Sequence, residues 1–286
     1  MKYLKSVALG LAFLMGGMLQ AQTFSETLTE EINFSGNSSD NLLVVYNVNG
    51  SVHVEGYSGN TVKVEVKKSI KGQNKRSLEQ GKVEVGVKVE KRDNIIYVYH
   101  DSPYTEFNLS TGRFSHKNSW NNIKYEYTMD YTIKVPNKAG LELSTINNGD
   151  LVVRNVNTNE ISVSNINGAI SMENVSGKTY ANALNGNIDI SYTQNPDGDS
   201  TYKSLNGDIT ILVKPNLNAD VSFKSLNGDI YTNFDTKSSP SKATVGKKKG
   251  KRGTKYKVNK KTQFQIGNGG VHLDFDVLNG DVTIKS

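Results

Sequence analysis

The chain is predicted to be all-β, a β-solenoid of roughly 20-residue rungs, on three observations. Asn-Gly recurs at Asn148-Gly149, Asn167-Gly168, Asn185-Gly186, Asn206-Gly207, Asn227-Gly228 and Asn279-Gly280, the first four steps being 19, 18, 21 and 21 residues. Aliphatic and polar residues alternate with a period of two on both sides of these pairs, the mark of half-buried strands. Val, Ile, Thr, Tyr and Asn are plentiful and Ala is scarce, which favours strands over helices.

The cassette extends beyond its turn. After each Gly the inward pairs are Leu151/Val153, Ile170/Met172, Ile188/Ile190, Ile209/Ile211, Ile230/Thr232 and Val282/Ile284. Before each Asn stands an aliphatic residue (Ile166, Leu184, Leu205, Leu226, Leu278), with Asn147 in that place in the first copy. An earlier copy, Val48-Asn49-Gly50, stands apart with Val52/Val54 after it. The inward phase is odd before Asn-Gly and even after it, so the chain bends there, at residues that tolerate positive φ. A two-residue hairpin at every copy, building a β-sandwich, is the competing architecture. Copying of the whole cassette at a near-constant period favours stacked rungs, with like side chains over like about 4.8 Å apart.

Read from its start, the chain opens with Lys2 and Lys5, an apolar stretch from Val7 to Leu19 and a small residue at Ala21. That is the pattern of a secretory signal peptide over 1–21, and the stretch is short of the roughly 20 apolar residues of a membrane span. The expectation is an exported protein with no transmembrane span in the mature chain. Residues 22–135 read as a strand-rich N-terminal part, with alternation at Thr61 to Val66, Val83 to Val89, Ile95 to Tyr99 and Tyr125 to Val135. Between these runs, 70–82 is polar with room for one helical turn, and 102–122 reads as a polar and aromatic loop. Pro136 ends the last run, and the repeat solenoid occupies 136–286.

A basic insertion at 237–261 interrupts the repeats. It holds eleven Lys or Arg and no acid, leaving the rest of the mature chain with 21 bases against 28 acids, a net charge of −7. Lys247, Lys248, Lys249, Lys251, Arg252, Lys255 and Lys257 are its candidate anion-binding residues. Their point charges suit anionic lipid headgroups, lipopolysaccharide phosphates or acidic polysaccharide. A solvated like-charged excursion is the competing reading. Export argues against nucleic acid as the partner.

Other chemistry is thinly represented. With no Cys there is no disulfide or thiolate metal site, and the four His are far apart in sequence. Asp150, Asp208, Asp229 and Asp281 share one repeat position, broken by Ala169 and Asn187. Stacked carboxylates suit a calcium site or glycosidic acid–base work, whereas Asp after Gly is also ordinary turn chemistry. The Asn column is explained by amide bonds between rungs. Trp120 with Tyr104, Phe107, Phe114, His116, Tyr125 and Tyr127 reads either as a sugar-stacking patch or as a cap on the core. There is no Gly-x-Ser-x-Gly elbow, phosphate loop or His-Glu-x-x-His. No cofactor, metal or catalytic residue is assigned.

The run Tyr131 to Pro136 (Tyr-Thr-Ile-Lys-Val-Pro), Leu141 to Thr145, Asn148-Gly-Asp150 and the later Leu-Asn-Gly-Asp-Ile copies resemble the putative bacterial adhesin family over roughly residues 40–286. The resemblance implies an all-β, solenoid-like fold and an envelope or surface location, and no established activity. The basic insertion departs from the family's pattern. The expected function is that of an exported, non-enzymatic adhesin or scaffold binding an envelope or surface component. The alternative is a polysaccharide-active enzyme using Asp150, Asp208 and Asp229.

Overall fold

The computed structural model describes residues 22–35, 40–108, 111, 113–117, 123–238, 244–250, 253–259 and 262–286. The predicted signal segment, 1–21, and Trp120 lie outside them. The described chain is all-β, with 24 strands and one short helix. No helix among the described residues is long and apolar enough to cross a membrane.

The Asn-Gly pairs are corners, not hairpins. Leu42–Tyr46, Gly140–Thr145, Asn157–Asn167, the second half of Ile170–Asn185, Ser200–Asn206, Val271–Asn279 and Ala219–Asn227 precede corners, and they pair in parallel with one another. The segments after the corners form a second parallel series: Val52–Tyr57, Leu151–Arg154, Ile170–Met172, Ile188–Tyr192, Ile209–Leu212, Val282–Lys285 and Ile230–Thr232. A sandwich of hairpins requires antiparallel pairing across each turn, and no such pairing occurs at these corners.

Register puts like over like. In the second series the innermost column runs Tyr131, Val52, Leu151, Ile170, Ile188, Ile209, Val282 and Ile230. All but Ile230 are at most 1% exposed. Burial of an aliphatic side chain contributes about 1.5–3 kcal/mol, so each tier is held chiefly by the pairs it stacks on its neighbours. One apolar cluster runs through residues on both sides of Pro136, from Leu28 to Ile284.

Antiparallel strands close the two ends, and the sheet is mixed. At the N-terminal end Gln22–Asn33 pairs with Thr61–Gly72, which pairs with Tyr125–Pro136. Gly86–Arg92 there pairs with Ile95–Asp101. At the other end Thr262–Ile266 covers the edge of Ala219–Asn227 and is itself paired with Thr236–Ser238. Extra strands shield backbone groups that an open stack leaves bare.

Three expectations need correction. Rungs stacked in chain order would make Ile209 and Ile230 neighbours; they share a column, but Val282 lies between and pairs with both. The last rung of the chain, 271–285, is intercalated between the rungs at Asn206 and Asn227, where Asp276 separates Lys203 from Lys224. The Asn of the first C-terminal corner is Asn147, bridged to Asn49; Asn148 is an inserted residue with φ 59°. Finally, the single turn expected within 70–82 is the helix Lys75–Glu84, while 70–72 belong to a strand. Asn74 caps the helix by accepting from the Ser77 amide, and the Ser77 hydroxyl accepts from the Asn74 amide. Val83, at 85% exposed, faces solvent on that helix rather than starting a strand.

Candidate functional site

The corner carries three columns of side chains. The first is an amide ladder. Asn167 Nδ2 donates to Asn147 Oδ1 at 2.8 Å, Asn185 to Asn167 at 2.9 Å and Asn206 to Asn185 at 2.8 Å. Asn279 then donates to Asn206 at 2.8 Å and Asn227 to Asn279 at 2.7 Å. The ladder thus crosses the intercalated rung without a break, every bond donated in the same direction. Substituting Asn185→Ala removes two of these bonds from an exposed position. The expected loss is about 1 kcal/mol, read from urea unfolding, because a protein hydrogen bond exposed to competing water contributes little net.

The carboxylate column is turn chemistry. Asp150 Oδ1 accepts the Ala169 amide at 2.8 Å, Asp208 Oδ1 accepts the Asp281 amide at 2.9 Å, and Asp281 Oδ1 accepts the Asp229 amide at 2.9 Å. Asn187 Oδ1 does the same for Asp208 at 3.0 Å, so an amide serves where the carboxylate is missing. Behind the corner, inward polar residues hold glycine carbonyls: Asn47 and Thr145 donate to Gly50, Asn165 to Gly149 and Ser204 to Gly186. The sequence reading missed this inner set, whose signal is a polar residue two places before the Asn where an aliphatic one is expected.

The third column is aliphatic and faces outward. Ile166, Leu184, Leu205 and Leu278 are 37–40% exposed, and Leu226, on the last tier, is 71% exposed. Val48 at the opposite end is buried. Beside this stripe run Ser164, Asn182, Lys203, Asp276 and Lys224, the last two joined at 2.9 Å. Amide and carboxylate bonds between tiers account for two columns; the aliphatic column stacks like on like and still leaves each member more than a third exposed over five tiers.

The basic excursion leaves and rejoins the sheet at the Leu226 end, through Thr236–Ser238 and Thr262–Ile266. Lys247, Lys248 and Lys249 lie on Thr244–Gly250, and Lys255 and Lys257 on Gly253–Asn259. These two strands form an antiparallel hairpin that pairs Lys248 with Lys255 and Gly246 with Lys257. Lys251 and Arg252 fall outside the described residues.

Other polar clusters do structural work. Glu84 Oε2 accepts from Tyr125 at 2.7 Å and Tyr104 at 2.9 Å. Burial pushes its carboxyl up, but hydrogen bonds from Gln80, Tyr125 and Tyr104 outweigh that and hold it below the usual range. Burial pushes the Tyr202 hydroxyl up to about 12, and it sits 2.7 Å from that of Tyr192. Tyr125 and Tyr127 are buried in the core and Phe107 covers Tyr97 and Tyr99, so these aromatics cap rather than present a ring to solvent. Ser222 Oγ lies 2.7 Å from Asp274 Oδ1 and 2.8 Å from His272 Nε2. Its one proton goes to the carboxylate, so the imidazole meets the hydroxyl as a donor, the reverse of a general base, and Ser222 is fully buried. Among the described residues no three His, Asp or Glu are grouped to hold a metal ion.

Comparison with solved structures finds proteins of several bacteria. A putative cell adhesion protein of Clostridium sporogenes ATCC 15579 is 12% identical, with 92% of this chain and 99% of that one covered and a TM-score of 0.45. A putative adhesin of Bacteroides fragilis NCTC 9343 is 12% identical, with 91% and 96% covered and a TM-score of 0.28. A putative lipid binding protein of Parabacteroides distasonis ATCC 8503 is 9% identical, with 90% and 96% covered and a TM-score of 0.24. No curated protein matches the chain in sequence. Residues 26–285, nearly the whole stack of corners and both its closing ends, match the family model described as Toastrack DUF4097, and the chain belongs to that family.

Proposed function

We propose that the chain is an exported, non-catalytic β-solenoid of the bacterial envelope that binds an anionic amphiphile along its Asn-Gly corner, acyl chain on the aliphatic stripe and phosphate on the basic hairpin. The observation that carries this reading is the outward column Ile166, Leu184, Leu205, Leu278 and Leu226, in register on consecutive tiers and most exposed at its last member. Four steps of about 4.8 Å make a straight apolar line of about 19 Å, suited to an extended hydrocarbon. Each methylene it covers contributes about 0.8 kcal/mol. The basic excursion is rooted at the Leu226 end, and it carries eleven bases and no acid while the rest of the mature chain is net acidic. A line of aliphatics with positive charge at one end complements an acyl chain with an anionic head.

Export rests on the charged, apolar and small-residue pattern of 1–21. The absence of catalysis rests on the use of the aspartates: Asp150, Asp208 and Asp281 each spend one oxygen on the next tier's amide.

Flotation with vesicles tests the proposal. The protein, as cleaved after Ala21, is expected to float with phosphatidylglycerol vesicles and much less with phosphatidylcholine. Leu184→Asn, Leu205→Asn and Leu278→Asn together are expected to weaken flotation at least tenfold, about 1.4 kcal/mol. These side chains are exposed, so folding should survive. Neutralising Lys247, Lys248 and Lys249 to Gln is expected to abolish the preference for anionic vesicles. Equal flotation of the triple-Asn variant would remove the stripe from the account, and no flotation of the unaltered protein would end the proposal.

A further inference from the structure

The intercalated rung has an anatomy that its neighbours lack. Thr262–Ile266 runs antiparallel along one edge of Ala219–Asn227, and Val271–Asn279 runs parallel along the other edge of the same strand. The chain therefore makes a U-turn around that strand within four residues, Gly267-Asn-Gly-Gly270. All three glycines have positive φ (59°, 72° and 149°), a region that glycine enters at the least cost. The strap is held by few bonds: the Asn268 amide donates to Asn218 Oδ1 at 2.8 Å, the Gly270 amide to Asp220 Oδ2 at 3.2 Å and the Gly269 amide to the Ile266 carbonyl at 3.2 Å. Straightening it would release 271–286 as a free arm while Thr262–Ile266 stayed in place.

The slot such an arm leaves is generic. Its floor is the Asn206 tier and its roof the Asn227 tier, both built on Leu-Asn-Gly-Asp-Ile, and the arm itself carries Leu278-Asn-Gly-Asp-Val282. The bonds that seat the arm are its parallel ladders to both tiers, the Asn amides and Asp-to-amide caps, the Lys224–Asp276 pair, Ser222 with Asp274 and His272, and the His272 and Ser286 amides donated to Asp199 and Asn233. Nothing in that set depends on the arm belonging to the same molecule. The strands 219–232 and 271–284 share the corner Leu-Asn-Gly-Asp and the Phe223/Phe275 position, so an arm from either protomer meets the same partners in the slot.

We propose that Val271–Ser286 is an exchangeable arm, hinged at Gly267–Gly270, which fills the slot between the Asn206 and Asn227 tiers of a second copy of this chain. A short, glycine-rich, bent connection with an element identical in both protomers is the usual setting for domain swapping. Reciprocal exchange preserves every seating bond and replaces a tight U-turn with an extended connection, so two chains close on each other without a new interface being required.

The absence of cysteine makes the test clean. Thr210 and Thr283 are partners on adjacent tiers, at outward-facing register positions. A chain carrying Thr210→Cys and a second carrying Thr283→Cys are mixed at high concentration and treated with a short thiol cross-linker. Exchange is expected to give a covalent heterodimer. It should increase with concentration, and increase further when Asp220→Ala frees one end of the strap. The double variant in a single chain at low concentration is expected to cross-link internally, which confirms the seat. Monomers alone in the mixture, beside internal cross-linking of the double variant, would overturn the proposal. So would an equal yield when Thr283→Cys is mixed with Ser171→Cys, three tiers from the slot, because that would reflect random collision.

Discussion

Gly186→Ala is expected to destabilise the chain by about 3 kcal/mol or more, a cost at the upper end of overpacking and backbone strain. A Cβ at Gly186 would lie under 3.0 Å from the carbonyl carbon of Gly168, on the tier before, and against its oxygen. The obstacle is main chain, fixed by the ladder on both sides, so no side-chain rotation relieves it. The same collision recurs up the stack: a Cβ at Gly168 meets the Gly149 carbonyl, one at Gly207 that of Gly186, and one at Gly280 that of Gly207. Close tier spacing at the corner thus demands glycine even where φ does not. Gly86→Ala is the control, because a Cβ there meets only the Asp101 carbonyl at 3.9 Å. That variant is expected to be neutral or up to about 1 kcal/mol more stable, through a less flexible unfolded chain. Urea unfolding of the two proteins separates the explanations. Equal midpoints would mean the corners are not stacked as described.

The corners themselves were readable because a phase change is a physical statement: alternation that flips from odd to even cannot continue on a straight strand. The inward pairs were legible for the same reason, and Leu151/Val153 to Val282/Ile284 all occupy the interior columns that their alternation predicts. The order of tiers was not legible. Each corner offers the same amide, carboxylate and aliphatic groups to its neighbours, so the corners permit any order; the mark of the observed one is the alternation Lys203, Asp276, Lys224, three residues before each Asn, which has no meaning until the rungs are stacked. The helix Lys75–Glu84 was hidden for another reason: it buries only Ser77, Leu78 and Gly81, too few for an apolar stripe, and its one sequence mark is the cap at Asn74.

Of the candidate site, the aliphatic position before each Asn was visible as a retained residue, but whether it was core or surface depended on the corner's direction. In a hairpin it faces outward opposite Asp; in the stack it faces outward beside its own kind, which makes a continuous stripe. The basic insertion was visible by composition alone. Its backbone is a hairpin attached at the Leu226 end, a placement that followed from Thr262–Ile266 pairing with Ala219–Asn227 and from nothing in the lysines themselves.

Phe275→Ala, the other large effect expected, reports on the order of the tiers. Phe275 is fully buried and stacks on Tyr202 with ring centroids 4.8 Å apart at 17°. Its column runs Ala181, Tyr202, Phe275, Phe223, so truncation leaves a void between two aromatic rings that the ladder prevents from closing. Loss of the buried ring is expected to cost about 3–5 kcal/mol, including the stacking contribution. Phe223 sits one tier further out, beneath only the antiparallel strand Thr262–Ile266. Its truncation is expected to cost about 2 kcal/mol, nearer the middle of the usual range. The difference follows from intercalation alone. Were the rungs stacked in chain order, Phe223 would lie against Tyr202 and Phe275 at the rim, and the ranking would invert. Thermal or urea unfolding of the two variants therefore decides which aromatic is inside, and Phe223→Ala proving the costlier change would show that the last rung does not occupy the slot between the Asn206 and Asn227 tiers.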